Sequence, residues 1–534
     1  MKILGVSGRD REAAAAVSVD GRVVSAVAEE SFARVQGIGY ARTGGFPYAA
    51  ADAALKTAGL EPEDIQQIVI VDDGPTRPAS GVNGRFRGVP VKEMAAARAD
   101  AVHAAATAPQ AEIILVSSSD PGALATFRRG PEGLGPRGDI AGADGLVRCA
   151  RRLAAVLGID RGGDSAAPDD PFSALDRLSL GAEPVYQGAL APALNGGNPA
   201  GLEPDVDTLI DVVTRLAGQH APALADTGSM NARLIELRRS LAASFVCELA
   251  VILSRAADAA ATASGASLVG VGGALFCNPR FNRELRRLMP AGLAIALVPE
   301  AVGRASGAAA SESSPLPAGL ALGPAFEEED IKRTLDNCRL DYVYEPDWAR
   351  LLKRASRMLT QGKVVAWFQG PMAFGPRSLG TRSILADPSI RYARQNLNEY
   401  LRRVALDEPL PVALAPSMEN ACLMRPAESA SGVVDEEVQP DWRTPLSAAI
   451  NWRHEVRVHG AAAGTEARLR DLLELHYASA KVPGLIQLNL AATGEPVACT
   501  PRDAVRTTFS SAIDALVIGR FLLMKDHWLL RTQD

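Results

Sequence analysis

The chain has 534 residues, of which 47% are hydrophobic and 22% are charged, and its formal net charge is −6. A single hydrophobic core stops growing near about 250–300 residues, so this length predicts at least two domains. The acidic balance provides no broad positive field to attract nucleic acid, and the hydrophobic content is typical of a globular protein rather than a disordered one.

The sequence also indicates where the protein works. We find no signal-peptide pattern and no stretch of the about 18 uncharged apolar residues that a membrane span needs. Six cysteines stand singly, without the spacing of a disulfide framework. We therefore expect a cytoplasmic protein with reduced thiols that has no contact with membranes.

The first predicted elements alternate between strand and helix. Residues 1–8 have the pattern of a strand, and residues 13–31 that of two strands joined by Asp20-Gly21, a dipeptide typical of tight hairpins. An alanine-rich helix over 46–60 precedes an apolar strand over 65–73. This order predicts an α/β layered domain.

The middle of the chain gives weaker patterns. Residues 128–198 carry many Gly, Pro and Asp, and we interpret them as insertions on the first domain. A long helix near 231–263 is followed by a strand, a glycine turn and a helix over 267–287.

That glycine turn is a candidate nucleotide site. Backbone N–H groups at a strand-to-helix turn can bind phosphate because the start of a helix leaves them unpaired. Gly272, Gly273 and Asn278 would make the contacts. The alternative is a tight turn that serves packing alone.

The pattern restarts in the last third of the chain. A Ser/Pro/Gly-rich passage over 306–326 precedes an acidic helix start, and we place the domain boundary between 340 and 341. A strand over 363–368 leads into a glycine-containing loop with Arg377 and Arg382. Guanidinium forks suit phosphate recognition, so both arginines are candidate catalytic residues. The alternative is a structural ion pair, for example with Asp387.

Five separated blocks resemble the carbamoyltransferases of the nodulation and cephamycin type, the NodU/CmcH family, in its order and at about its spacing. The third and fifth blocks are the specific ones. The blocks are ILGVSGRDREAAAAVSVDGRVVSAVAEESFAR, LVGVGGALFCNP, GKVVAWFQGPMAFGPRSLGTRSILADP, ALAPS and GEPVACTPRDAVRTTFSSAIDALVIG.

The resemblance implies a two-lobed α/β fold. Residues 1–340 would form a duplicated actin-like ATPase lobe, similar to the enzyme that completes threonylcarbamoyl modification of tRNA. Residues 341–534 would form a YrdC-like lobe. In the family, the second lobe converts carbamoyl phosphate and ATP to a carbamoyl-adenylate. The first lobe, which holds a metal and a nucleotide, passes the carbamoyl group to a substrate hydroxyl.

The resemblance therefore implies an ATP-dependent carbamoyltransferase. Its donor would be carbamoyl phosphate, and its acceptor a hydroxyl or amine of a small secondary metabolite, as in antibiotic biosynthesis. We expect the chain to act as a homodimer or as a heteromer with an intact homologue.

The first lobe departs from the family at its metal positions. His103 matches the second histidine of the family's metal motif, but the first position is Ala99, and Arg304 stands where the last metal aspartate would be. Asp120 matches another metal aspartate only with a shift along the chain. One histidine cannot hold a metal unaided, so the sequence disfavours a metal.

Further departures flank these positions. Arg9 stands where the family has a histidine, next to Asp10. Together with Arg304, Arg9 suggests that guanidinium groups contact the cofactor phosphates in place of the missing cation. Loss of constraint is the alternative. Asp10 and His103 are the candidate proton acceptors.

The second lobe is also altered. Val412 stands where the family has an arginine, although Arg402 lies upstream and could supply charge. Asn489 is kept as a candidate cofactor contact.

Three functions stay open at this point: an active carbamoyltransferase, a catalytically degenerate partner subunit of an intact one, and a repurposed ATP-dependent ligase. ATP consumption without carbamoyl phosphate would indicate the ligase.

Overall fold

A computed structural model provides the fold. It describes most of the residues of the chain. They are 1–72, 84–117, 124–131, 133–139, 143–159, 171–179, 182–196, 203–220, 227–297, 303–311, 314–317, 320–375, 377–402, 409–425, 433–459 and 465–525.

The first sheet is built by the N-terminal hairpin and two further strands. Its elements are β1 (Lys2–Ser7), β2 (Ala14–Val19), β3 (Arg22–Ala28), α1 (Glu30–Ala33), α2 (Tyr48–Ala58), β4 (Gln67–Asp72), β5 (Val91–Ala95) and α3 (Ala96–Thr107). The strand order is β3-β2-β1-β4-β5. Strands β1, β2 and β3 form an antiparallel meander, whereas β4 runs parallel to β1 and β5 runs parallel to β4.

A second sheet follows the same plan with helical additions. Its elements are β6 (Ile113–Ser117), β7 (Leu124–Gly130), β8 (Gly133–Asp139), α4 (Ala143–Val156), α5 (Pro171–Leu178), α6 (Gln187–Asn195), α7 (Val206–His220), α8 (Thr227–Thr262), β9 (Leu268–Gly273), α9 (Pro279–Leu288), β10 (Ala294–Leu297) and α10 (Arg304–Ala309). The order is β8-β7-β6-β9-β10, with β7 antiparallel to its neighbours and β9 and β10 parallel.

The two sheets therefore repeat one topology: an antiparallel three-stranded meander followed by two parallel strands. This internal repeat is the duplication expected of an actin-like lobe, and it confirms the fold class predicted for the first lobe. Residues 128–198 were predicted to be insertions. Instead, their beginning completes β7 and forms β8, which are integral strands of the second sheet.

Helix α8 is long and apolar enough to cross a membrane by length and composition alone. However, 83% of its most apolar window is buried inside the protein. Its side chains, such as Phe245 and Leu253, lie in the core of the second sheet. It is the central core helix of that half.

The third sheet forms the second lobe. Its elements are α11 (Glu328–Asn337), β11 (Val343–Tyr344), α12 (Trp348–Thr360), β12 (Val365–Phe368), β13 (Arg382–Ala386), α13 (Ala393–Gln395), β14 (Pro411–Leu414), α14 (Glu419–Cys422), β15 (Val433–Glu437), β16 (Glu455–His459), α15 (Ala467–Ala480), β17 (Gly484–Asn489), α16 (Pro501–Phe509), β18 (Ala515–Ile518) and β19 (Phe521–Met524). Its order is β11-β19-β18-β12-β13-β17-β14-β16-β15, a mixed sheet. This lobe is α/β, as predicted.

Helix α11, which precedes the predicted boundary, packs with the second lobe. Ile331 and Leu335 of α11 are buried in the core of the third sheet. We therefore propose that the second lobe begins before Glu328 rather than at residue 341.

Candidate functional site

The loop that carries Arg377 joins β12 to β13 and has a defined backbone. The side-chain oxygen of Asn489, at the end of β17, accepts the Ser378 N–H at 3.0 Å. The Thr381 hydroxyl donates to the Ser378 carbonyl at 2.7 Å. These bonds fix the backbone beside Arg377, whose side chain is half-buried. Asn489 thus holds the arginine loop, and its predicted cofactor contact stays a prediction.

Arg377 reaches across to the first lobe. Its Nη2 donates to the carbonyl of Cys277 at 3.4 Å. Cys277 ends the short 3-10 turn that follows Gly273. The structure therefore brings together two features that lie in different lobes of the sequence, the arginine loop and the glycine turn.

The arginine loop is also packed onto the first lobe. Phe374 is buried among Ala14, Ala305 and Leu322 of the first lobe and its connecting segment. Its backbone N–H donates to the Leu320 carbonyl at 2.8 Å. Burial of an aromatic side chain in this position keeps the loop on the lobe junction.

Helix α9, which follows the glycine turn, forms polar contacts across the junction. Asn282 donates to the carbonyl of Val433 at 2.8 Å. Arg286 pairs with Glu436 at 3.2 Å, and Arg283 pairs with Glu455. All three second-lobe partners lie on β15 or β16. The position of the turn relative to the second lobe is thus set by several contacts.

The glycine turn requires glycine at Gly273. Its φ is 97°, in the region that L side chains rarely adopt. A Cβ there would lie 2.0 Å from the carbonyl oxygen of Ser117, its cross-strand partner on β6. Gly272 pairs with Val116 in the same ladder. Close strand packing therefore explains Gly273, and phosphate contact by this turn stays a proposal.

Asn278 faces the interior. It is 3% exposed, its side-chain N–H donates to the Leu275 carbonyl at 2.9 Å, and it lines a small apolar cavity with Phe245 and Phe281. These contacts close the turn ahead of α9. The predicted nucleotide contact of Asn278 stays a prediction.

The described contacts of Arg382 are with the protein itself. Its side chain is fully buried, and its Nη1 donates to the carbonyls of Gln369 and Thr381, both at 2.8 Å. Its Nη2 donates to the Pro324 carbonyl at 3.1 Å, and the guanidinium lies 3.6 Å from the centre of the Phe368 ring. Burial lowers the pKa of Arg382 to about 9. Arg382 thus ties loop segments together, and its predicted catalytic role stays a prediction.

Asp387 pairs with neither predicted arginine in the contacts described. Its Oδ2 lies 3.3 Å from Nε2 of His476, and its Oδ1 accepts the hydroxyl of Ser389 at 2.6 Å. The other ring nitrogen of His476 lies 3.0 Å from the Ser356 hydroxyl. Spacing in the sequence gave no sign of this serine, histidine and aspartate cluster. His476 is fully buried and Ser356 nearly so, which makes the cluster part of the core.

His103 is locked inside the first lobe. It is 2% exposed, and its Nδ1 lies 2.7 Å from the Ser306 hydroxyl. That hydroxyl donates to the Gly303 carbonyl at 2.7 Å, so Nδ1 of His103 carries the proton. Burial lowers the pKa of His103 to about 4. The ring is thus held in the contact between α3 and α10, and its predicted role as a proton acceptor stays a prediction.

Arg304 has an acidic partner that the sequence did not reveal. Its Nε lies 3.2 Å from both carboxylate oxygens of Asp100, which sits on α3 one turn before His103. Among the described residues, no group of three or more His, Cys, Asp and Glu side chains could hold a metal. Asp120 lies outside the described residues. With Ala99 buried nearby and a guanidinium at this point, the residues present do not fit the metal of the family.

Arg9 and Asp10 lie on the loop after β1. The backbone carbonyl of Arg9 accepts the Ala41 N–H at 2.9 Å, and a Cβ on Gly39 would lie 2.2 Å from the Asp10 carbonyl carbon. Arg9 is half-buried and Asp10 is exposed. Of the two predicted proton acceptors, Asp10 is therefore the accessible one.

The structure shows the surroundings of Val412, which stands where the family has an arginine, and of Arg402 upstream of it. Val412 is fully buried in β14, where it pairs with Ile486 of β17. Arg402 donates to the side chain of Asn398 at 2.9 Å. Arg402 thus lies on the helical turn before residues 403–408, which the structure does not describe.

Asp176 is a buried carboxylate that contacts the start of α9. It is 2% exposed and accepts the Phe281 N–H at 3.1 Å in the first turn of α9. Burial, and then Asp435, raise the pKa of Asp176 from 3.8 to about 6, against an opposing effect of Arg457.

We expect Asp176→Asn to stabilise the protein increasingly as the pH rises. In the unfolded chain Asp176 ionises near 3.8, whereas in the folded chain it keeps its proton until about 6. The wild type therefore loses stability between these values, and the asparagine variant does not. Urea unfolding at pH 5 and pH 7.5 should show the variant gaining about 1 kcal/mol relative to wild type at the higher pH. An equal difference at both pH values would contradict the burial of a titrating carboxyl.

The sequence of the second lobe matches a known protein family. The family model described as "Carbamoyltransferase C-terminus" matches residues 356–525. An uncharacterized protein of Synechocystis is 30% identical over 241 residues, which cover 41% of this chain and 39% of that protein. Nodulation protein NolNO of Sinorhizobium fredii is 26% identical over 175 residues, covering 32% of this chain and 26% of that protein.

A shorter match is higher in identity. The 3'-hydroxymethylcephem-O-carbamoyltransferase of Amycolatopsis lactamdurans is 43% identical over 65 residues, which cover 11% of this chain and 12% of that protein. The matches to the first relatives span about two fifths or less of those proteins' own length.

Solved structures resemble the first lobe weakly. An activator of 2-hydroxyisocaproyl-CoA dehydratase from Clostridium difficile has a TM-score of 0.33 at 13% identity, covering 58% of this chain and 93% of that one. A ROK hexokinase from Thermus thermophilus has a TM-score of 0.29 at 19% identity, covering 58% and 97%. The fold assignment of the first lobe rests on its repeated strand order.

The repeated sheets and the arginine loop define a two-lobed protein with a carbamoyltransferase C-terminal domain. Over parts of its length the chain is similar to nodulation proteins and to a cephem carbamoyltransferase.

Proposed function

We propose that this protein is an ATP-dependent carbamoyltransferase that activates its donor as an adenylate. The observation that carries the proposal is the position of Arg377 at the lobe junction. Its guanidinium is half-buried, its loop is held by Asn489, and its Nη2 faces the Cys277 carbonyl at 3.4 Å. A guanidinium group held in this way loses little entropy when it binds a phosphate.

A phosphate could replace the Cys277 carbonyl as the hydrogen-bond partner of Arg377. A hydrogen bond at 3.4 Å to a neutral carbonyl is at the weak end of the range, whereas a guanidinium and a phosphate form short, charge-assisted bonds. An incoming phosphate would therefore compete well for the same nitrogen. Arg382, with several carbonyl partners and full burial, offers no such opportunity.

The reaction that we propose has three steps: hydrolysis of the donor, adenylation and transfer. Water splits carbamoyl phosphate into carbamate and phosphate. A carbamate oxygen then attacks the α-phosphorus of ATP, forming a carbamoyl-adenylate and releasing pyrophosphate. Finally, the acceptor oxygen or nitrogen attacks the carbamoyl carbon, AMP leaves with the electrons of the broken C–O bond, and the acceptor proton passes to a base.

The residues of the chain would take separate parts in these steps. Arg377 would bind and neutralise the phosphate on which negative charge develops. The backbone N–H groups that follow Gly273 would meet a nucleotide phosphate across the junction. Asp10, being exposed, is the available proton acceptor for the transfer step.

The setting of the reaction is part of the proposal. The acceptor would be a small secondary metabolite with a hydroxyl or amine, as in antibiotic biosynthesis, and the protein would act in the cytoplasm. Assembly as a homodimer, or with an intact homologue, is compatible with this chemistry. The absence of an overall positive charge speaks against a nucleic-acid acceptor.

A second candidate function is that of a degenerate partner subunit. It is favoured by the first lobe, where His103 is shut in against Ser306 and Arg304 is paired with Asp100. A scaffold that keeps its fold and loses its chemistry would have this character. A repurposed ligase that activates a different donor is a third candidate.

ATP–pyrophosphate exchange on purified protein, with and without carbamoyl phosphate, tests the proposal. We expect exchange that requires carbamoyl phosphate. Exchange without carbamoyl phosphate would instead support the ligase. No exchange from folded, monodisperse protein would reject the transferase and support the partner subunit.

A further inference from the structure

We propose that the Arg304 guanidinium is a built-in internal cation that takes the place of a metal ion in the first lobe. The inference does not depend on the proposed activity, because its readouts are metal content and thermal unfolding. It concerns the contact between α3 and α10, where Asp100, His103, Arg304 and Ser306 meet.

Asp100 needs a cation beside it. Its side chain is 2% exposed, and a carboxylate removed from water is costly unless a charge or hydrogen bonds compensate it. Arg304 Nε lies 3.2 Å from both of its oxygens, and the Arg304 side chain is 13% exposed. The positive charge that this carboxylate requires is thus supplied covalently, by the first residue of α10.

The neighbouring histidine, His103, also contacts α10. His103 lies one helical turn beyond Asp100 on α3, and its Nδ1 bonds to the Ser306 hydroxyl, two residues after Arg304. A Cβ on Gly303 would overlap the His103 ring. The loop before α10 therefore seats directly on the imidazole. Arg304 and Ser306 act as a pair that fastens α10 to α3 through Asp100 and His103.

Close backbone packing supports this reading. A Cβ on Gly307 would lie 2.0 Å from the Ala99 carbonyl oxygen, so α10 and α3 touch backbone to backbone. A divalent cation normally needs three or four protein ligands, and the described residues offer no group of three or more His, Cys, Asp and Glu side chains that could hold one. A guanidinium group, that of Arg304, therefore holds α10 against α3. We expect the first lobe to fold without a metal ion.

The test begins with the wild-type protein. After exposure to Zn²⁺, Mn²⁺ or Fe²⁺ and desalting, elemental analysis should find well below one equivalent of metal in the intact protein. Its melting temperature should be the same with and without EDTA. One equivalent of bound metal whose removal lowers the melting temperature would overturn the proposal.

Variants then test the ion pair itself. Arg304→Ala should lower the melting temperature by roughly 5–10 °C, because it removes the guanidinium from a buried carboxylate. Asp100→Asn in the Arg304→Ala background should recover much of that loss. Arg304→Lys, which keeps the charge, should lie between wild type and Arg304→Ala.

The double variant keeps the test decisive if Arg304→Ala alone does not fold. Recovery of a folded protein by the added Asp100→Asn change would show that the unpaired carboxylate caused the failure. If the two substitutions simply add their losses, or if Arg304→Ala melts like wild type, Arg304 is not the internal cation of this lobe.

Discussion

Replacing Arg377 with alanine should lower carbamoyl-phosphate-dependent ATP–pyrophosphate exchange by at least about 100-fold, the effect of removing one preorganised donor from a developing charge. Arg377 contributes a half-buried, permanently charged fork at the lobe junction. Removing it leaves the donor phosphate without that charge. The change should show in kcat/KM of the exchange reaction, measured over a range of carbamoyl phosphate concentrations.

Two further variants sharpen this expectation. Arg377→Lys keeps a positive charge but not the planar fork, so its activity should fall between wild type and alanine. Arg391→Ala is the matched control, because it removes an exposed arginine from the same lobe. Exchange at the wild-type rate in Arg377→Ala would remove Arg377 from the site.

Gly273→Ala should destabilise the first lobe by roughly 3 kcal/mol or more, combining backbone strain with a clash. The φ of 97° disfavours any side chain, and the new Cβ would lie 2.0 Å from the Ser117 carbonyl oxygen. Neither β6 nor β9 can move away without losing ladder hydrogen bonds. Urea unfolding followed by circular dichroism would measure the loss.

Gly292→Ala separates the two causes. Gly292 has a φ of 88°, similar to that of Gly273, but a Cβ there would meet nothing within 4 Å. Its replacement should therefore cost only about 1 kcal/mol, from the backbone conformation alone. Equal losses for the two variants would show that the contact with Ser117 does not matter.

Local sequence signals predicted several elements well. The Asp20-Gly21 hairpin forms as expected, with both residues at positive φ. The alanine-rich helix became α2 and the long apolar helix became α8. In each case the pattern that identifies the element is contained within the element itself, so no distant contact is needed to predict it.

Elements without a clear pattern of their own were missed. The β8 segment, GLGPRGD, has two internal glycines and a proline, and no alternation of apolar residues. It becomes a strand because it pairs with β7 at the edge of the second sheet, where proline is tolerated. The boundary before α11 was missed for a related reason, since Ile331 and Leu335 reveal their lobe only by packing.

The candidate site was predicted in part. The sequence singled out Arg377 and the glycine turn, but nothing local indicates that the two would meet, because α9 and its partners on β15 and β16 set that distance. The burial of Arg382 was not predicted, because a fully buried arginine is rare and its carbonyl partners come from separate segments. Likewise, Arg304 was recognised as a replacement, while its partner Asp100 was not.

The most direct test of a phosphate site at the lobe junction is a crystal structure of the protein with carbamoyl phosphate and a non-hydrolysable ATP analogue. We expect a phosphate oxygen within hydrogen-bonding distance of the Arg377 guanidinium, next to the turn that ends at Cys277. A donor phosphate bound elsewhere, with Arg377 still on the Cys277 carbonyl, would contradict this site.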